Sequence, residues 1–60
     1  MPYYRLYCID GRGHFFRCEE FEAEADEEAV GRSEELRNGA AAELWSGKRM
    51  VKAFERTADV

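Results

Sequence analysis

Proline, cysteine and histidine are scarce in this chain: one proline, two cysteines and one histidine in 60 residues. The single proline, Pro2, stands before the first structured segment, so no interior element is broken by a missing amide. Cys8 and Cys18 are too few for the disulfide framework of a small secreted scaffold, which points to a cytoplasmic protein with reduced thiols. They and His14 leave a closed zinc site without its fourth Cys or His ligand. No apolar run approaches the roughly 20 residues of a membrane helix. Arg5 and Asp10 interrupt any signal-peptide core near the start.

Basic charge is also in short supply. Lys and Arg number 9 against 13 Asp and Glu, for a net charge of −4. That balance disfavours tight nucleic-acid binding, which rests on a basic footprint. The charges are segregated: Glu19 to Glu28 is strongly acidic, whereas Lys48, Arg49, Lys52 and Arg56 gather near the end. A hydrophobic fraction of 45% is ordinary for a globular domain. A chain this short buries only about 60% of its unfolded surface and draws only a few kcal/mol from its core. These limits argue against an enzyme with its own deep cleft and for help from a partner or from self-association. A single domain over 1–60 is expected, with 56–60 as a frayed tail.

Tyr3 to Asp10 and His14 to Phe21 are rich in aromatic and branched residues and flank Gly11-Arg12-Gly13, which predicts a β-hairpin. A three-residue loop sets Asp10 opposite His14 and Cys8 opposite Phe16, with Leu6 opposite Cys18 and Tyr4 opposite Glu20. On the other face Ile9 meets Phe15, Tyr7 meets Arg17, Arg5 meets Glu19 and Tyr3 meets Phe21. A helix follows, with Asp26 as its N-cap, Glu27 and Glu28 in the first turn, and Asn38-Gly39 as its stop. Ala29, Val30, Ser33 and Leu36 form its inward side. Gly31 costs about 1 kcal/mol against alanine in a helix interior, so a close approach to the sheet is expected there. A second hairpin turns at Gly47-Lys48, setting Trp45 opposite Met50, Leu44 opposite Val51 and Glu43 opposite Lys52. The fold expected is α+β: β-β-α-β-β, a four-stranded antiparallel sheet in the order 2-1-3-4 with one helix on one face.

Four motifs carry a resemblance. They are Tyr4-Arg5-Leu6-Tyr7, the Asp10-Gly11…Gly13-His14 turn, Phe21-x-Ala23-x-x-Asp26-Glu27-x-Ala29, and Glu43-Leu44-Trp45-x-Gly47-x-Arg49-x-Val51. Over most of its length the chain resembles a group of very short uncharacterised bacterial proteins, a domain of unknown function. The resemblance implies a small cytoplasmic bacterial domain and carries over no functional residues. That group often has Asp-Asp at the helix start, where this chain has Ala25-Asp26.

Little chemistry is legible. Cys8, Cys18 and His14 share a face in the expected register and Asp10 could complete a metal site with them, but strand spacing spreads the set too widely to hold a metal. Free cysteine packs as a small hydrophobe, so both thiols are expected under the helix beside Leu6 and Phe16. A disulfide would need them directly opposite, in a shifted register. The Gly11-Arg12-Gly13 turn is followed by a strand rather than a helix, unlike a phosphate loop. Ser33, Ser46 and His14 form no nucleophile–base pair, and a strand-end ion pair with Asp10 accounts for the histidine. The expectation is therefore no catalytic residue, no metal and no cofactor.

The informative surface is the sheet face turned away from the helix. Tyr3, Arg5, Tyr7, Ile9, Phe15, Arg17 and Phe21 are expected there, extended by Trp45 and Met50. Such a patch marks a partner site. The reading adopted is a protein–protein surface, most simply a homodimer or a second protein. Its alternative is an aromatic and arginine platform for single-stranded nucleic acid, which the acidic balance and Glu19 oppose. In a third reading the tyrosines shield one another on a monomer. No small-molecule substrate and no membrane contact are expected.

Overall fold

In a computed structural model that describes residues 2–57, the chain runs β1 (Tyr3–Ile9), β2 (Phe15–Glu22), α1 (Asp26–Arg37), β3 (Ala41–Ser46) and β4 (Arg49–Phe54). The strands form one sheet in the order β2-β1-β3-β4, with every neighbour antiparallel, which is the expected α+β architecture. Alternation along β1 sends Tyr4, Leu6 and Cys8 beneath the helix. Ala42 and Leu44 of β3, with Ala23, Ala29 and Phe54, complete the buried core. Of the expected tail, Thr57 donates its amide to the Gly39 carbonyl at 2.9 Å, and residues 58–60 lie outside the described residues.

Both turns follow the glycines. The Asp10 amide donates to the His14 carbonyl at 2.8 Å, the Gly13 amide to the Asp10 carbonyl at 3.0 Å, and Gly13 takes a φ of 85°. This is the three-residue loop closed by a left-handed glycine. The Asp10 carboxylate accepts the amides of Arg12 and His14 at 2.9 Å each. Those donors hold its carboxyl below the usual range. Asp10 thus serves the backbone of the turn, rather than the expected ion pair with the imidazole. In the second hairpin Gly47 has a φ of 63° and Ser46 pairs with Arg49.

Beyond each turn the register departs from expectation by one residue. Ile9 pairs with Phe15 as anticipated, but a β-bulge follows. Cys8 then pairs with Arg17, Tyr7 with Cys18, Leu6 with Glu19, Arg5 with Glu20, Tyr4 with Phe21 and Tyr3 with Glu22. Likewise Trp45 pairs with Met50 as expected, but Leu44 pairs with Lys52 and Glu43 with Ala53. A one-residue slip exchanges the faces of a strand. The second bulge turns Phe54 inward beside Ala42, where it is 6% exposed. Burying such a ring is worth about 1.5–3 kcal/mol, which offsets the disrupted ladder. The first bulge lays Phe21 on Tyr4, ring centroids 5.8 Å apart, and leads the chain into the buried Ala23.

The helix also departs from expectation at three points. Its N-cap is Ala25, without a side-chain cap. Asp26 is the first helical residue, and its carboxylate reaches across to Tyr4 Oη at 2.8 Å and to both terminal nitrogens of Arg49 at 2.9 and 3.1 Å. Asp26 therefore ties α1 to β1 and β4. At the other end Asn38 is the left-handed C-cap (φ 52°), followed by Gly39 at 83°. Gly31 is exposed, and a Cβ there would meet nothing within 4 Å, so it allows no close approach. Ala29 and Ser33 are buried and Val30 and Leu36 pack part-buried against the core, as expected, while Arg37, one turn beyond Ser33, joins the inward side unexpectedly.

Arg37 is 5% exposed. Its guanidinium donates to the carbonyls of Ala40 at 2.7 Å and Glu55 at 3.0 Å, and pairs with Glu34 at 2.9 Å. It also lies 5.0 Å from the Phe54 ring centroid. The end of α1, the start of β3 and the end of β4 are thereby fastened to one side chain.

Candidate interaction face

The sheet has a single helix to cover it, so the second face has no covering layer among the described residues. Pairing assigns its side chains. Tyr3, Arg5, Tyr7 and Ile9 come from β1, Phe15, Cys18, Glu20 and Glu22 from β2, Glu43 and Trp45 from β3, and Met50 from β4. Tyr3, Phe15 and Met50 are 46%, 59% and 43% exposed. Tyr7, Ile9 and Trp45 are half-buried against their neighbours.

Five of the seven residues expected on this face are there: Tyr3, Arg5, Tyr7, Ile9 and Phe15. Arg17 and Phe21 are not, because both lie beyond the first bulge. Arg17 turns to the helix side, where it donates to the Leu36 carbonyl and approaches Cys8 Sγ at 3.8 Å. Phe21 stacks on Tyr4 with Arg32 above it, 5.5 Å from the ring centroid. The same slip brings Cys18, Glu20 and Glu22 onto the open face and takes Glu19 off it. Phe16, expected under the helix, is 55% exposed at the bulge. Cys8 is buried as expected, but Cys18 is exposed and the sheet lies between the two free thiols. They and His14 do not converge on one point.

Polar groups on the face are mutually engaged. The Tyr3 hydroxyl donates to Glu20 and Arg5 sits 3.4 Å from the same carboxylate. The Glu20 hydrogen bond pushes the Tyr3 hydroxyl pKa up, while the Tyr7 hydroxyl and Glu20 hold Arg5 in its charged form. Trp45 donates its indole N–H to Glu43 at 3.1 Å. Partial desolvation, followed by the Glu20 carboxylate, pushes the Cys18 thiol up, away from the thiolate a reactive cysteine needs. One arginine faces Glu20, Glu22 and Glu43, so the face is apolar with an excess of negative charge.

Two relief features stand out. A hollow of about 310 Å³ is lined by Tyr3, Arg5, Tyr7, Trp45 and Gly47. Beside it Phe15 stands up from the sheet, stacked on Tyr7 with centroids 5.3 Å apart. Glu43 and Cys18 were not expected on this face. The alternation around Leu44 identifies Glu43, whereas nothing in the sequence marks the bulge that exposes Cys18.

No family model, curated protein or solved structure matches the chain. Among the described residues no helix is long and apolar enough to cross a membrane.

Proposed function

We propose that this protein is a non-catalytic interaction module that works by burying its open sheet face against a protein, most simply a second copy of itself. The observation that carries the reading is the uncovered face itself, with Tyr3, Phe15 and Met50 exposed on it. A face bounded by the 35 by 19 Å extents of the molecule offers at most about 660 Å² per copy. Two faces covered over that whole extent would bury about 1,300 Å², near the lower bound of stable interfaces, so the pairing has to use most of the face. Loss of Arg17 from the face removes half of the cationic support for a nucleic-acid platform, which depends on a positive groove. Only Arg5 is left, opposed by Glu20, Glu22 and Glu43.

Sedimentation equilibrium at tens of micromolar tests the proposal, and two chains per particle is the expected result. Phe15→Glu should return the particle to one chain, whereas Glu35→Lys on the exposed side of α1 should not. Cys18 lies on the face, so its labelling should slow as protein concentration rises, while Cys8 stays slow throughout. A wild-type monomer with Cys18 labelling independent of concentration overturns the homodimer.

A further inference from the structure

The open face carries both a knob and a hole, and we infer that they fit each other across a two-fold axis. Phe15 of each copy enters the hollow that Tyr3, Tyr7 and Trp45 form on the other. This rests on the homodimer proposed above and specifies its central contact. Among the described residues Phe15 is the most exposed large apolar side chain, at 59%. The hollow, about 310 Å³, is roomier than one phenyl ring and open on its outer side. Tyr7 stands between the two features, stacking on Phe15 and lining the hollow.

Position on one face decides the occupant. A two-fold interface joins the same patch on both copies, so residue i meets j and j meets i. An axis passing beside Tyr7 places each Phe15 over the other copy's hollow, giving two equivalent contacts. Face-to-face sheets pack about 10 Å apart with their strands within roughly 30° of alignment. That spacing is bridged by an aromatic ring standing off one sheet. An aromatic anchor filling a pocket is the contact that dominates association energy.

Complementation between variants tests this pairing apart from dimerisation. Phe15→Ala removes both knobs of a homodimer and Trp45→Ala opens both hollows. If each contact is worth roughly tenfold, either variant alone should associate roughly 100-fold more weakly than wild type. An equimolar mixture of the two restores one complete contact, from the Phe15 of one chain into the intact hollow of the other. Sedimentation velocity of the mixture should therefore show a heterodimer only about tenfold weaker than wild type. Circular dichroism checks that each variant is folded, and Trp45→Leu replaces Trp45→Ala if the latter is not. A wild-type dimer whose variants gain nothing on mixing overturns the knob-and-hole pairing and leaves the dimer standing. A monomeric wild type overturns both.

Discussion

Removing the Arg37 side chain would strip the donor from two carbonyls at once, those of Ala40 and Glu55. Hydrogen bonds from a charged donor contribute about 1.5–3 kcal/mol each, and groups left unsatisfied cost more than the bond gained. Arg37→Met is therefore expected to destabilise the fold by at least about 2 kcal/mol. In a chain of this size that lowers the melting temperature by roughly 10 °C or more. Thermal unfolding followed by circular dichroism checks this against Arg12→Met in the exposed turn, which should change little. Asp26 acts through charge instead. Hydrogen bonds from Arg49 and then Tyr4 lower its pKa below the ordinary 3.8. The unfolded chain then takes up protons before the folded one does as pH falls. Its contribution is present above about pH 4 and is lost as pH drops through the folded value. Urea midpoints measured between pH 7 and pH 3 should fall for the wild type and fall less steeply for Asp26→Asn.

The helix is the element with most room for improvement. Its glycine, Gly31, faces solvent with space for a methyl group. Alanine there removes backbone freedom from the unfolded chain without a clash, so Gly31→Ala should stabilise by about 0.5–1 kcal/mol. A melting temperature raised by a few degrees is the expected reading, and a lower one would mean that the glycine does serve a close contact. The strands show a different limit. Each hairpin turn determines the pairs next to it, Ile9 with Phe15 in the first and Ser46 with Arg49 and Trp45 with Met50 in the second, and each hairpin then bulges. A bulge has no fixed residue requirement. It forms because Phe54 and Phe21 gain more from the inward side than a regular ladder would return.

For the molecule as a whole, the core is thin. Cys8, Ser33 and three alanines occupy much of the buried space, with Tyr4, Leu6, Leu44 and Phe54 as its large members. A partner that binds only the folded chain raises its stability by mass action. If the open faces pair, the melting temperature should rise with protein concentration. The pairing also brings two acidic faces together, so added salt should tighten it by screening their repulsion while apolar burial holds. Melting curves at several protein and salt concentrations read both effects. A melting temperature independent of concentration would show that the face contributes nothing to stability through self-association. Association that weakens steeply with salt would point to an oppositely charged partner.

The residues alone determine the order of elements, the two turns, the antiparallel sheet and the side of β1 and β3 that faces inward. Those features depend on local causes: glycines where φ must be positive, alternation in the central strands, and a helix bounded by charge and by Asn38-Gly39. The tertiary structure alone decides which way the edge strands face, and so the composition of the open surface. Arg17 and Phe21 leave that surface and Cys18, Glu20 and Glu22 join it, because a single unpaired residue reverses everything beyond it. The two bulges place Phe54 and Phe21 on the helix side of the sheet, a gain that exists only once the strands are paired and the helix is in place. The role of Arg37 likewise exists only once Ala40 and Glu55, far apart in sequence, lie within reach of one guanidinium.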